Sequence, residues 1–144
     1  MGTLILDASV LIGLLDSADT HHERAVTDVE SADLAGHRLV APASAYSEAL
    51  VAFARGGRMA DARDAVSAMG IAVAPLTAAM AERAAKLRAD HNRLRLPDAM
   101  LVACSRELGG QLLTSSLITY AASPQASGMT GHGYPVDDGA IKTI

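Results

Sequence analysis

Four short apolar runs, each separated from the next by two stretches of helical character, constrain this 144-residue chain more than any other feature. The runs are Thr3-Leu4-Ile5-Leu6, Arg38-Leu39-Val40-Ala41, Ile71-Ala72-Val73-Ala74-Pro75 and Gln111-Leu112-Leu113-Thr114. A brief continuous apolar run suits a strand buried on both faces, as in a parallel sheet. Parallel neighbours need long crossovers, and the paired helices between the runs supply them. The predicted order is β-α-α-β-α-α-β-α-α-β. It implies a single α/β domain over 1–144, with a mostly parallel sheet of four to five strands and helices on both faces.

Punctuation residues place the helices. Asp7-Ala8-Ser9 leads into a helix that stops near Asp16. Thr20 and Glu23 have the spacing of a capping box, so a second helix is expected from Thr20 to about Ala35, closed by Gly36. A third opens at Ala43 or Ser44 and runs to Ala54, with Tyr46, Ala49, Leu50 and Phe53 as its core stripe. Met59 to Met69 forms a fourth, and Thr77 caps a fifth that reaches about Asn92. Pro97 suits the first position of the last helix, from Asp98 to Leu108, which Gly109-Gly110 ends. From Ser123 the composition turns to Gly, Pro and Ser, with one short edge strand expected near Tyr134 to Val136.

Composition narrows the function classes. Three Tyr, one Phe and no Trp argue against a single-strand binder built on stacked aromatics. A formal charge of −4 argues against a general polyanion binder. Charge is nevertheless uneven: from Met80 to Arg106, Arg83, Lys86, Arg88, Arg93, Arg95 and Arg106 face only Glu82, Asp90 and Asp98. Cys104 is the single cysteine, which excludes an internal disulfide and disfavours a Cys-based zinc site. His21 and His22 are adjacent and point apart on a helix, so they read as surface polar residues. No apolar stretch approaches the ~18 residues of a membrane span, and the start is a poor signal peptide, so a soluble cytoplasmic protein is expected.

Three acids fall where such a fold brings side chains together. Asp7 ends the first strand, Glu48 sits among Ser44, Ala45, Val51 and Ala52 on the third helix, and Asp98 opens the last one. Each has a simpler explanation available. Asp7 is a good helix cap, and Asp98 is favoured by the helix dipole. Ligands of open α/β sheets nevertheless bind at the carboxyl ends of the strands. Carboxylates clustered there repel one another unless a cation joins them. An oxygen-only set with no His or Cys partner favours Mg²⁺ or Mn²⁺.

Three segments carry a family resemblance: Leu4-Ile5-Leu6-Asp7-Ala8-Ser9-Val10, Ser44-Ala45-Tyr46-Ser47-Glu48-Ala49-Leu50 and Leu94-Arg95-Leu96-Pro97-Asp98-Ala99-Met100-Leu101-Val102-Ala103. Together they resemble the acidic motifs of PIN-domain nucleases, and within these the toxins of VapBC toxin–antitoxin pairs, over Thr3 to about Ala122. The resemblance implies a Mg²⁺- or Mn²⁺-dependent endoribonuclease that cuts tRNA or ribosomal RNA and blocks translation. It also implies a homodimer and a VapB-type antitoxin whose tail enters the acidic cleft. Carried onto this chain, it makes Asp7, Glu48 and Asp98 metal ligands and catalytic residues, with Ser9 and Thr114 supporting them. Arg93 and Arg95, which lead into Asp98, become candidate contacts to RNA phosphates.

One position departs from the family pattern. Ser116 stands two residues after Thr114, where the family usually carries an Asp. A hydroxyl can hold a metal-bound water but brings no charge. The alternative is therefore a PIN-fold module that binds RNA or its antitoxin with weakened catalysis. Other α/β phosphate enzymes fit poorly. Ser9 stands where a haloacid-dehalogenase type needs its second Asp, Ala74-Pro75 where a receiver domain needs its phosphoacceptor, and there is no P-loop.

Overall fold

The computed structural model describes residues 2–114 and the backbone of residues 118–120. Its elements are β1 (Thr3–Leu6), α1 (Ala8–Leu15), α2 (His22–Leu34), β2 (Arg38–Pro42), α3 (Ala43–Arg55), α4 (Met59–Ala68), β3 (Ala72–Ala74), α5 (Ala78–Asp90), α6 (Leu96–Leu108), β4 (Gln111–Leu113) and β5 (Ile118–Tyr120). The strands lie in the order β3-β2-β1-β4-β5. β1 pairs in parallel with both β2 and β4, and β2 with β3. β5 runs antiparallel along β4. The strand that ends in Asp7 is thus central, with two parallel neighbours.

Alternation along each strand divides the interior into two layers. Leu4, Leu6, Leu39, Ala41 and Leu113 pack with Val10 and Leu11 of α1, Val29 of α2, Ala45 and Ala49 of α3 and Val66 of α4. Ile5, Val40 and Leu112 face the other way, onto Met80, Ala84 and Leu87 of α5 and Ala99 and Val102 of α6. Ile5, Leu6, Val40 and Leu112 are fully buried. Helices therefore cover both faces, which explains why the runs read as continuous rather than alternating. The turn from α6 into β4 needs two glycines for different reasons. Gly109 caps the helix at φ 64°, in the left-handed region. A Cβ on Gly110 would lie 2.9 Å from the Thr3 carbonyl oxygen and from Ile5.

Several expectations shift. Thr20 does not cap α2: the helix starts at His22, with His21 at the cap position and no side-chain cap bond. Asp19 takes the turn instead, its carboxylate accepting from the His21 N–H at 2.8 Å. On α3 the buried residues are Ala45 and Ala49, whereas Tyr46, Leu50 and Phe53 are half-buried. β3 is confined to three residues because it is an edge strand, and Ala72 and Val73 are exposed. Thr77 does cap α5, accepting from the Met80 N–H at 3.2 Å. The strand expected near Tyr134 to Val136 lies outside the described residues. Among the described residues, no helix is long and apolar enough to cross a membrane.

Candidate functional site

Asp7 is both cap and cleft acid. Its backbone N–H donates to the Leu113 carbonyl at 3.0 Å, holding the end of β1 beside the end of β4. Its carboxylate accepts from the Ser9 N–H at 3.0 Å and caps α1. Burial raises its pKa above the ordinary value, and the charge of Asp98 pushes the same way. The Ser9 backbone and hydroxyl hydrogen bonds and the Ala8 N–H act against that rise. Burial outweighs those hydrogen bonds, and the Asp98 charge is the lesser contribution to the rise.

Asp98 lies in the first turn of α6, behind Pro97. Its carboxylate accepts from Arg95 Nε at 3.1 Å, with the Asp98 side chain 23% exposed and the Arg95 side chain 72% exposed. Arg95 is the cap residue of α6, yet its side chain caps nothing. Glu48 comes from α3, which begins directly at the carboxyl end of β2. It is exposed, and it lies one turn after Ser44 on the same face of α3.

Asp7, Glu48 and Asp98, from three separate elements, line one small cavity of about 20 Å³, together with Ser44, Pro97 and Leu101. Glu48 also lines a second cavity of about 380 Å³ that runs between α1 and α3, past Ile12, Asp16, Phe53 and Arg58. Sequence reasoning had not singled out Ser44 or this second cavity. The four-residue spacing of Ser44, Glu48 and Ala52 is the signal that points to both.

The donors fit a hard divalent cation: the cavity offers carboxylates and a hydroxyl, and no His or Cys lines it. Among the described residues, however, no three of His, Cys, Asp and Glu are gathered tightly enough to hold a metal ion as they stand. Asp98 is turned to Arg95 and Glu48 is exposed. The acids share one wall without forming a finished coordination sphere.

The remaining candidates lie as follows. Ser9 is half-buried against Asp7, and Thr114 is half-buried directly after β4. Arg93 is exposed in the loop before α6. Ser116 lies outside the described residues. His22 joins α2 to α1 through a 2.6 Å hydrogen bond between Nδ1 and the Gly13 carbonyl, so its role is structural. Cys104 is buried in α6, and burial pushes its thiol up to about 11, which leaves it unreactive.

Comparison with known proteins agrees with this architecture. Solved structures that share the fold include two toxin-related proteins. One is a toxin–antitoxin complex from Klebsiella pneumoniae, with a TM-score of 0.61, 22% identity, and coverage of 78% of this chain and 85% of that one. The other is VapC20 of Mycobacterium tuberculosis, described as a sarcin-ricin-loop-cleaving toxin, with a TM-score of 0.59, 18% identity, and coverage of 76% and 85%. The comparison with curated proteins finds no match. The PIN domain model matches residues 4–116, a span that contains all three acids, and the chain therefore belongs to the PIN domain family.

Proposed function

We propose that this chain is a divalent-metal-dependent endoribonuclease, the toxin of a VapBC-type pair, which hydrolyses phosphodiester bonds in tRNA or ribosomal RNA and so inhibits translation. The observation that carries the reading is the meeting of Asp7, Glu48 and Asp98 on one cavity wall at the carboxyl ends of the strands. Those three residues would hold Mg²⁺ or Mn²⁺. When bound, the ion would ease deprotonation of the attacking water and supply a charge that offsets the developing phosphoryl oxyanion. Ser9 fixes the orientation of the Asp7 carboxylate through its N–H and hydroxyl. Thr114, beside it at the end of β4, would support the same group. Arg93, exposed in the loop before α6, and Arg95, paired with Asp98, would position RNA phosphates.

A VapB-type antitoxin is the proposed neutralising partner, and a homodimer the proposed assembly. The solved structures described as a toxin–antitoxin complex and as a sarcin-ricin-loop-cleaving toxin support both the partner and the substrate class. The test is cleavage of structured RNA by the purified chain across a Mg²⁺ and Mn²⁺ titration. Cleavage that requires the ion and fails in Asp98→Asn supports the reading, and cleavage that persists in chelator overturns it.

Ser116 favours a second reading, in which the fold binds RNA or antitoxin and cuts weakly. An added carboxylate should strengthen metal binding, so Ser116→Asp is expected to raise cleavage at limiting Mg²⁺ by about tenfold. No gain, even at limiting metal, removes the weakened-site reading.

A further inference from the structure

One of the cavity acids, Asp98, meets a cation whose placement is hard to explain by helix stability. Arg95 is the cap residue of α6. Ser, Thr, Asp and Asn are preferred there because their short side chains accept from free N–H groups. Arginine has no acceptor and makes no side-chain cap bond here. Its charge also sits at the positive end of the helix dipole, where a cation is unfavourable. What Arg95 does instead is reach forward one turn to Asp98, Nε to Oδ2 at 3.1 Å. The helical pairs Arg24–Asp28, Arg58–Asp61 and Lys86–Asp90 join groups outside the acidic cavity. Arg95 engages an acid that lines it.

We propose that Arg95 is a displaceable counter-cation of the cleft: it holds Asp98 while no divalent ion is bound, gives way when one binds, and turns from that carboxylate to a substrate phosphate. The inference rests on the metal-dependent reading above, and it adds that metal loading and phosphate capture are coupled through one side chain. An ion that takes the Asp98 carboxylate competes with the guanidinium held at its Oδ2. The pair is also weak enough to exchange, because the arginine side is 72% exposed and solvent screens it. Once released, the guanidinium stays anchored by its backbone at the start of α6, beside the cleft. Its planar fork of donors matches a phosphate.

The test is calorimetric titration of Mn²⁺ into the full metal-free chain, without RNA, so that the readout is affinity rather than turnover. Arg95→Gln is expected to bind Mn²⁺ about two- to fivefold more tightly than the unaltered chain, the range a partly exposed ion pair is worth. Arg95→Lys, which keeps the charge, is expected to return affinity close to that of the unaltered chain. Arg93→Gln removes an equal charge two residues away and is expected to change affinity by less than Arg95→Gln does. Equal affinity in Arg95→Gln and the unaltered chain overturns the counter-cation role alone. An equal gain in Arg93→Gln also overturns it, because bulk charge then accounts for the effect. Absence of Mn²⁺ binding in every variant overturns the metal-dependent reading and this role together.

Discussion

Two charged concavities differ in a way that cavity size alone would conceal. The larger, about 510 Å³, lies along α5 and is lined by Glu82, Arg83, Lys86, Asp90, His91 and Arg106. Its charges are of both signs and largely matched: Lys86 meets Asp90 at 3.1 Å, and Arg83 meets Glu107 at 3.9 Å. The smaller, about 20 Å³, holds three acids, with Arg95 at its edge as counter-charge to one of them. In the first, exposure to water makes each ion pair nearly neutral in energy. In the second, burial leaves Asp7 reluctant to ionise, with Asp98 adding to that reluctance. Unbalanced, partly buried charge marks the site, because there an added cation relieves a cost already present in the fold.

The largest expected effect sets the two regions against each other. Asp98→Asn should lower Mg²⁺-dependent RNA cleavage by on the order of 10²-fold or more, the scale on which a single transition-state stabiliser acts. Asp90→Asn, an equal change of charge in the α5 groove, should leave the cleavage rate within about twofold. Comparable losses in the two variants would erase the distinction between the regions.

A smaller effect, of opposite sign, is expected on stability. Folding raises the pKa of Asp7 above the ordinary value of 3.8. Between those two values the native state binds more protons than the unfolded chain, so this group's contribution to stability falls as pH rises through that window. The loss persists at neutral pH. Asp7→Asn keeps a good cap without the charge. It should therefore raise Tm in chelator at pH 7 by roughly 1–3 °C. The advantage should fade as pH falls below the ordinary carboxylate range, where Asp7 is protonated in both states. Thermal unfolding scans of both proteins at several pH values measure it, and a lower Tm for Asp7→Asn at pH 7 would contradict the account of this acid.

The smallest effect belongs to the matched groove. Loss of the Lys86–Asp90 pair in Asp90→Asn should cost only ~0.3–0.5 kcal/mol by chemical denaturation, and less in high salt. A cost of several kcal/mol there would mean that the groove's ion pairs organise the fold in a way their exposure does not explain.

Much of this was readable before folding because it depends on local rules. The apolar runs of β1, β2 and β4, the Thr77 cap and the Gly109 stop each follow from a few neighbouring residues. The α2 start is not legible locally, because Thr20 and Asp19 are both good turn formers, and the choice between them depends on the path from α1. On α3, Ala45 took a core place that the periodic stripe had left out, because the helix rolls to fit against Leu39 and Ala41 rather than to bury its largest residues.

The sequence by itself determined the alternation of strands with helix pairs, and it determined that an acid would end β1 and another would open α6, since periodicity, caps and breakers act within a turn or two. Tertiary structure decided which strands became neighbours and reduced β3 to an edge. It also brought Glu48 from α3 to the wall shared with Asp7 and Asp98, and aimed Arg95 at Asp98. Those outcomes depend on groups far apart in the chain that meet only when the two faces of the sheet are buried. Burial is also what makes Asp7 costly to ionise where they meet.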